Sequence, residues 1–129
     1  MYNPFSIENK KILVTGASSG IGKATAIECS RMGAKIVVTG RNEERLNDTF
    51  SKLEGDGHYK IIADLSNEEQ MDALVEQLPD IQGLVNNAGI VDTCLTQFIK
   101  RDKLERIMEI NTFAPILLTQ KILKKKKIG

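Results

Sequence analysis

A glycine-rich segment near the start of the chain has the residue types and spacing to hold a phosphate group. It reads Thr15-Gly16-Ala17-Ser18-Ser19-Gly20-Ile21-Gly22, between the apolar run 12–14 and a helix-like segment that extends to Met32. A buried strand that leads through such a turn into a helix presents backbone N–H groups to an anion. Glycines let the backbone approach that anion closely. We therefore expect this segment to bind the pyrophosphate of a dinucleotide.

Three further polar motifs follow along the chain: Asp64-Leu65, Asn86-Asn87-Ala88-Gly89 and Asn111. Two adjacent asparagines at the end of an apolar strand need partners for their amides, which favours a specific role. Asp64 ends a predicted strand, where Asp also occurs for local reasons. Asn111 lies four residues before Pro115, which has no N–H to donate to its carbonyl. We expect a kink that exposes this carbonyl oxygen; the alternative is a break between two helices.

Alternating strand and helix patterns position these motifs. The strands are predicted at Lys11–Thr15, Lys35–Thr39, Tyr59–Ala63 and Ile81–Val85, and the helices at 20–32, 42–55, 66–78 and 102–126. Nearly continuous apolar strands are typical of a parallel sheet covered on both faces. The pattern therefore predicts an α/β fold, a Rossmann-type doubly wound parallel sheet in three αβα layers. Right-handed crossovers give the strand order 3-2-1-4, which leaves the outer edge of the fourth strand bare. Either the chain is a fragment or something else covers that edge.

Local patterns predict where the helices begin and which faces are buried. Asn42 is a good cap for the second helix. Ser66 and Asp102 each begin a capping-box pattern that opens the third and fourth helices. On the first helix we expect a buried apolar face formed by Ile21, Ala24 and Ile27.

In the order and spacing of these four motifs, the chain resembles the short-chain dehydrogenase/reductase family. The resemblance extends from about Lys11 to Lys127 and is similar to the N-terminal, cofactor-binding half of such proteins, with a loop like that of 3-oxoacyl-carrier-protein reductases. It implies one domain over residues 1–129, an NADP-binding Rossmann domain that is truncated and lacks the C-terminal catalytic half.

The resemblance also implies roles for individual residues. Thr15 would be structural, with its hydroxyl tying the loop to the region of Asn86. Asn111 would be a catalytic residue whose main-chain carbonyl holds a water in a proton relay. The glycines would form the turn, and the loop serines and Ile21 would touch the phosphates or nearby cofactor. Asp64 and Leu65 would border the adenine, and the asparagines would line the cofactor and brace the central sheet. The implied cofactor-binding residues are Gly16, Ser18, Ser19, Gly20, Ile21, Gly22, Arg41, Asp64, Leu65, Asn86, Asn87, Ala88 and Gly89.

The end of the second strand bears on cofactor choice. An NAD-binding chain of this architecture places an acid about 20 residues beyond the loop, where it holds the ribose 2′-hydroxyl. Here the segment reads Gly40-Arg41, without an acid. An arginine can pair a 2′-phosphate through its planar fork of donors, so we expect NADP rather than NAD. The alternative is that Arg41 is a solvent-exposed loop cation.

The chemistry of the family requires a tyrosine with a lysine four residues later, and a serine on a fifth strand. The chain has only Tyr2 and Tyr59, followed four residues later by Ser6 and Ala63. We therefore expect part of an NADP(H)-dependent oxidoreductase that transfers hydride to or from a ketone or alcohol, with this chain binding cofactor but not catalytic alone. The alternatives are a non-catalytic nucleotide-binding or interaction module and another Rossmann-type enzyme, such as a methyltransferase. The asparagine motif and Asn111 count against the methyltransferase.

Composition excludes other classes. With 129 residues, 41% hydrophobic and 27% charged, the chain is typical of a soluble globular domain. Its apolar runs are too short to cross a bilayer, and no signal-peptide pattern is present. Cys29 and Cys94 have neither metal-ligand nor disulfide spacing, which indicates reduced thiols, a cytoplasmic location and no metal.

A lysine cluster closes the chain: five of its 18 basic residues lie between Lys121 and Lys127. Such a run suggests nucleic-acid binding, but no aromatic residues alternate with it. A solvated helix end, where cations complement the helix dipole, explains it better. We expect a small-molecule substrate, no nucleic-acid or membrane partner and, from the resemblance, a homo-oligomer.

Overall fold

Parallel strands separated by helices form the architecture of the structure, a computed structural model that describes residues 2–91 and 93–129. The strands are β1 (Lys11–Val14), β2 (Lys35–Gly40), β3 (Tyr59–Ile62) and β4 (Gly83–Val85). The helices are α1 (Gly20–Arg31), α2 (Glu43–Ser51), α3 (Glu68–Gln77), α4 (Arg101–Met108) and α5 (Ala114–Lys124). A short 3₁₀ turn at Thr96–Phe98 precedes α4. The elements follow the predicted order along the chain.

The sheet has the order β3-β2-β1-β4 with all pairs parallel, which confirms the predicted topology. In the centre, Leu13 of β1 pairs with Val37 of β2 and with Leu84 of β4. Side chains alternate between the two faces of the sheet. Leu13 packs into a core with α3 and α5, whereas its neighbours Ile12 and Val14 pack into a second core with α1 and α2. The three αβα layers are therefore confirmed.

The predicted apolar face of α1 is wrong for Ile21 and Ala24, whereas Ile27 is half-buried. Ile21 is 76% exposed and Ala24 is also exposed, and the buried residues of this helix are Gly22, Ala26 and Ser30. These small residues are spaced four apart, so they lie on one face of the helix. A Cβ on Gly22 would collide with the Gly16 carbonyl oxygen, so this face of small residues packs too closely for a larger side chain there.

The predicted helix starts are partly correct. Asn42 caps α2, with its Oδ1 accepting the Arg45 N–H at 2.9 Å, as expected. The α3 cap is Asn67 rather than Ser66, because the Ser66 hydroxyl is bonded to the preceding Asp64. Asp102 is not a cap either, since α4 begins one residue earlier, after Lys100, without a side-chain cap.

The last predicted helix is continuous but contains one wide turn. A π-helical turn at Glu109–Phe113 joins α4 to α5, and Pro115 follows in the first turn of α5. Because proline has no N–H to donate, the regular hydrogen-bond pattern cannot continue through this point. The distortion therefore falls on the segment where the sequence predicts it, as a wide turn rather than the alternative break between helices.

The outer edge of the sheet is covered at one point just before β4, by a segment near Gly129, in line with the alternative that another segment covers that edge. Ile81 lies just before β4 and forms a parallel bridge with Ile128. The Ile81 N–H donates to the Lys127 carbonyl at 2.7 Å, and the Gly129 N–H donates to the Ile81 carbonyl at 3.2 Å. This pairing extends the sheet by one residue on the side of β4.

The lysine cluster packs against α3. Lys121 Nζ lies 2.8 Å from an Asp72 carboxylate oxygen, and Lys125 Nζ lies 2.9 Å from a Glu76 carboxylate oxygen. Lys127 Nζ donates to the Leu78 carbonyl at 2.7 Å. These contacts join the C-terminal part of the chain to α3. None of the helices in the described ranges combines the length and apolar character needed to cross a bilayer.

Candidate functional site

A cavity of about 250 Å³ opens where the carboxyl ends of the strands meet. In an open parallel α/β sheet, ligands bind in the crevice at this end of the strands. Most of the predicted site residues line it: Gly16, Ser18, Ser19, Arg41, Asp64, Leu65, Asn87, Ala88 and Gly89. The other predicted residues, Gly20, Ile21, Gly22, Asn86 and Asn111, are not part of its lining. Sequence analysis missed Thr39, Gly40, Asn42, Arg45, Ala63, Ser66, Ile90 and Ile110 as lining residues.

The loop after β1 is fixed to the segment after β4 by the Thr15 hydroxyl. Thr15 is 1% exposed, and its Oγ1 accepts the N–H groups of Asn87 at 2.9 Å and Ala88 at 3.0 Å. The same hydroxyl donates to the Val85 carbonyl at 3.3 Å. The hydroxyl therefore uses both its donor and its acceptor capacity, and the predicted structural role of Thr15 is confirmed.

Two glycines let the loop, α1 and the asparagine motif come together. Gly16 has a φ of +62°, and a Cβ there would lie 2.8 Å from the Cα of Ala88. A Cβ on Gly22 would collide with the Gly16 carbonyl oxygen and would lie 2.5 Å from Nδ2 of Asn87. That Nδ2 donates to the Gly16 carbonyl at 3.3 Å. No side chain fits between these groups, so the glycines set the distance from the loop to Asn87.

Two hydroxyl groups in the cavity lack partners. The Oγ of Ser18 and the Oγ1 of Thr39 are buried and form no hydrogen bond in the part of the chain that the structure describes. Buried polar groups are nearly always bonded, so each exception calls for an explanation. Both residues line the cavity, so unsatisfied polar groups lie directly beside it.

Asp64 presents an ionised carboxylate to the cavity. Its Oδ1 accepts the Ser66 hydroxyl at 2.6 Å and the Ser66 N–H at 3.0 Å. The Ser66 hydroxyl bond is the main cause that holds the pKa of Asp64 below its usual value, with smaller contributions from the charges of Arg41 and Arg106. The carboxylate is therefore available as an acceptor for an amino group at neutral pH.

Asn111 acts through its side chain in a way that the sequence did not indicate. Its Oδ1 accepts the Ile90 N–H at 2.8 Å, and its Nδ2 donates to the Ile90 carbonyl at 2.7 Å. The amide thus binds both backbone groups of one residue and positions the cavity wall that Ile90 forms. Sequence reasoning considered only the Asn111 main-chain carbonyl, although an Asn within a helix also needs side-chain partners.

Asn86 braces the sheet rather than the cavity. Its side chain is exposed, and its Nδ2 donates to the Thr119 hydroxyl in α5 at 3.3 Å. The two adjacent asparagines therefore have different partners: Asn86 contacts the helix layer, and Asn87 contacts the glycine-rich loop.

Known proteins are similar to this chain in both sequence and fold. A family model described as "short chain dehydrogenase" matches residues 10–128. The uncharacterized oxidoreductase YvaG of Bacillus subtilis is 34% identical over 92% of this chain and 46% of its own length. The 3-oxoacyl-[acyl-carrier-protein] reductase FabG of Rickettsia prowazekii is 33% identical over 92% of this chain and 49% of its own length.

Solved structures agree with these sequence matches. A short chain dehydrogenase/reductase family protein superimposes with a TM-score of 0.86 at 31% identity, over 93% of this chain and 51% of that one. A short chain dehydrogenase from Mycobacterium smegmatis gives a TM-score of 0.86 at 28% identity, over 92% of this chain and 53% of that one. The chain thus spans about half the length of the relatives it matches.

Proposed function

The chain belongs to the short-chain dehydrogenase/reductase family, and we propose that it is the NADP(H)-binding domain of an oxidoreductase that interconverts a ketone and an alcohol. The observation that carries this proposal is the cavity itself. It combines a glycine-rich loop at a helix N-terminus with Arg41, and it has no carboxylate at the end of β2. The unpartnered hydroxyls of Ser18 and Thr39, two lining residues, support a polar ligand in the cavity.

Each part of the cofactor has matching groups in the cavity. The loop with Ser18 and Ser19 would hold the pyrophosphate, because backbone N–H groups at the start of α1 favour an anion. Asp64 would accept the adenine amino group, and Arg41 would pair the 2′-phosphate. The glycines that do not line the cavity, Gly20 and Gly22, would shape the turn. When bound, the cofactor supplies or accepts a hydride at its nicotinamide ring.

The segment after β4 would form the wall beside the nicotinamide half of the cofactor. Asn87, Ala88, Gly89 and Ile90 line the cavity there, and Thr15 and Asn111 fix their backbone through the bonds described above. We propose that the Asn111 main-chain carbonyl holds a water in the proton relay of the complete active site. The side-chain clamp on Ile90 would keep that part of the helix in place.

The name of one relative suggests which substrate class to test. Because FabG of Rickettsia prowazekii is named as a 3-oxoacyl-[acyl-carrier-protein] reductase, a 3-oxoacyl thioester is the first substrate to test. We propose that this chain alone does not transfer hydride, since neither Tyr2 nor Tyr59 has a lysine four residues later. We also propose that it is cytoplasmic and forms a homo-oligomer. Exposed apolar side chains of the last helices, Leu104, Phe113 and Ile116, favour self-association.

The test is a pair of titrations with NADPH and NADH, on the wild-type chain and on Arg41→Gln. Loss of a charge-assisted hydrogen bond to phosphate weakens binding about tenfold or more. We expect NADPH to bind more tightly than NADH, and the substitution to weaken only NADPH. Arg101→Gln is the control, because this exposed arginine of α4 pairs with Glu105 instead. Equal affinities for the two cofactors would remove the assignment of NADP.

Activity is tested separately, by NADPH oxidation with acetoacetyl coenzyme A. We expect no turnover by this chain, and turnover would show that the proposal of inactivity is wrong. A second candidate function, a non-catalytic nucleotide-binding module, is favoured by the same absence of a Tyr-x-x-x-Lys pair from these 129 residues. The intact mass of the protein from its natural source distinguishes the two. An oxidoreductase would continue beyond Gly129 into a segment with that pair.

A further inference from the structure

Two arginines share one corner of the cavity, where β2 leads into α2. Arg41 directly precedes the cap residue Asn42, and Arg45 lies in the first turn of α2. Both side chains are exposed, and both residues line the cavity. The bond from the Arg45 N–H to Asn42 Oδ1 fixes the start of the helix, and thus the position of Arg45 relative to the cavity.

Neither of these arginines has an ion-pair partner within residues 2–91 and 93–129. Other basic side chains nearby are paired: Lys23 lies 2.7 Å and Lys52 lies 3.2 Å from the same Asp48 carboxylate oxygen. Glu43 and Glu44 occupy the first turn of α2, where acids complement the helix dipole, but neither pairs with the arginines. The charge of Arg41 acts on the Asp64 carboxylate at longer range, and the two cations on one rim favour an anion between them.

A buried hydroxyl lies beside the same backbone. A Cβ on Gly40 would collide with the Ser18 Oγ and would lie 3.6 Å from Cδ1 of Leu46. Gly40 directly precedes one arginine, and Leu46 directly follows the other. The Ser18 hydroxyl, which lacks a partner, is therefore packed against the backbone from which both arginines extend.

We propose that Arg45 is a second specificity-determining residue that binds the 2′-phosphate of the cofactor together with Arg41 and the Ser18 hydroxyl. A phosphomonoester has three oxygens and about two negative charges, which match two guanidinium groups and one hydroxyl. A ribose 2′-hydroxyl is neutral and gains little from a second cation. The inference rests on the proposed NADP(H) binding and assigns part of the selectivity to a residue on α2.

The test compares binding of NADPH and NADH by calorimetry for the wild-type chain, Arg45→Gln, Arg45→Lys and Arg31→Gln. Arg31 is the matched control, because it lies at the far end of α1 and pairs with Glu28 and Glu54. We expect Arg45→Gln to weaken NADPH about tenfold or more, with the affinity for NADH unchanged. Arg45→Lys keeps the charge but loses the planar fork, so its loss is expected to be smaller. Arg31→Gln is expected to alter neither affinity.

The outcomes separate this inference from the proposed function. If the wild-type chain does not prefer NADPH, the proposed NADP(H) binding fails. If the wild-type chain prefers NADPH and Arg45→Gln keeps the same ratio of affinities, only the role of Arg45 is overturned. An equal loss for both cofactors also overturns it, because that result indicates a structural effect on α2. If Arg45→Gln does not fold, Arg45→Lys decides by the same ratio.

Discussion

Replacing Thr15 by Val would test how the loop is held to the segment after β4. The substitution keeps the shape of this 1%-exposed side chain but removes its hydroxyl. The Ala88 N–H would then lose its acceptor, the Asn87 N–H would keep only its 3.1 Å bond to the Val85 carbonyl, and that carbonyl would lose one donor. Each unsatisfied buried group costs about 1–3 kcal/mol. Because one partly buried N–H group is left without an acceptor and a second is weakened, we expect a total loss of about 2–3 kcal/mol, a large share of the stability of a small domain.

Thr15→Ser is the matched control, since it keeps the hydroxyl and loses one buried methyl group, at about 1 kcal/mol. The free energy of unfolding would be measured by urea denaturation at pH 7 for both variants and the wild type. Hydrogen exchange at Asn87 and Ala88 would show whether the loss arises at this contact. If Thr15→Val is as stable as Thr15→Ser, the hydroxyl does not hold the loop and our reasoning is refuted.

Three further predictions concern the rest of the site. Gly22→Ala should reduce the free energy of unfolding by about 3 kcal/mol, because a Cβ would meet rigid backbone. Gly20→Ala should reduce the free energy of unfolding by only about 1 kcal/mol, because Gly20 has a left-handed backbone conformation but no neighbouring atom that a Cβ would meet. If urea denaturation showed Gly20→Ala to be the less stable of the two variants, the packing described would be contradicted. The pKa of Asp64 is lowered from 3.8, so its ionised carboxylate stabilises the fold. The difference in free energy of unfolding between the wild type and Asp64→Asn should therefore be constant between about pH 5 and 8 and decrease as the pH falls below about 4. If that difference increased in acid, the direction of the pKa shift would be wrong. Asn111→Asp should speed hydrogen exchange at Ile90, because a carboxylate oxygen would replace the Nδ2 donor opposite the Ile90 carbonyl; unchanged exchange would exclude the clamp.

The order of the elements and the topology of the sheet could be predicted from the sequence. Buried parallel strands are short apolar runs, and the predicted crossovers allow few strand orders. The cap at Asn42 was also predictable, because its side chain acts on a backbone N–H three residues away. Such local signals depend on neighbouring residues alone.

Contacts between distant parts of the chain could not be predicted in the same way. The buried face of α1 is formed by small residues because the helix lies close to the sheet, whereas an apolar periodicity favours large side chains such as Ile21. The clamp from Asn111 to Ile90 joins residues 21 apart in sequence, and no local pattern indicates it. Arg45 was missed as a lining residue because only the fold brings the first turn of α2 to the cavity.

The most direct test of the binding site is an NMR titration of the isotope-labelled chain with NADPH. We expect saturable shifts of the backbone amides of the residues that line the cavity, among them Gly16, Ser18, Ser19, Arg41, Asp64 and residues 87–90. Asp72 and Glu76 of α3, which pair with lysines of α5, do not line the cavity, and their amides should not shift. An absence of saturable shifts, or shifts confined to α3 and α5, would contradict the assignment of this cavity as the dinucleotide site.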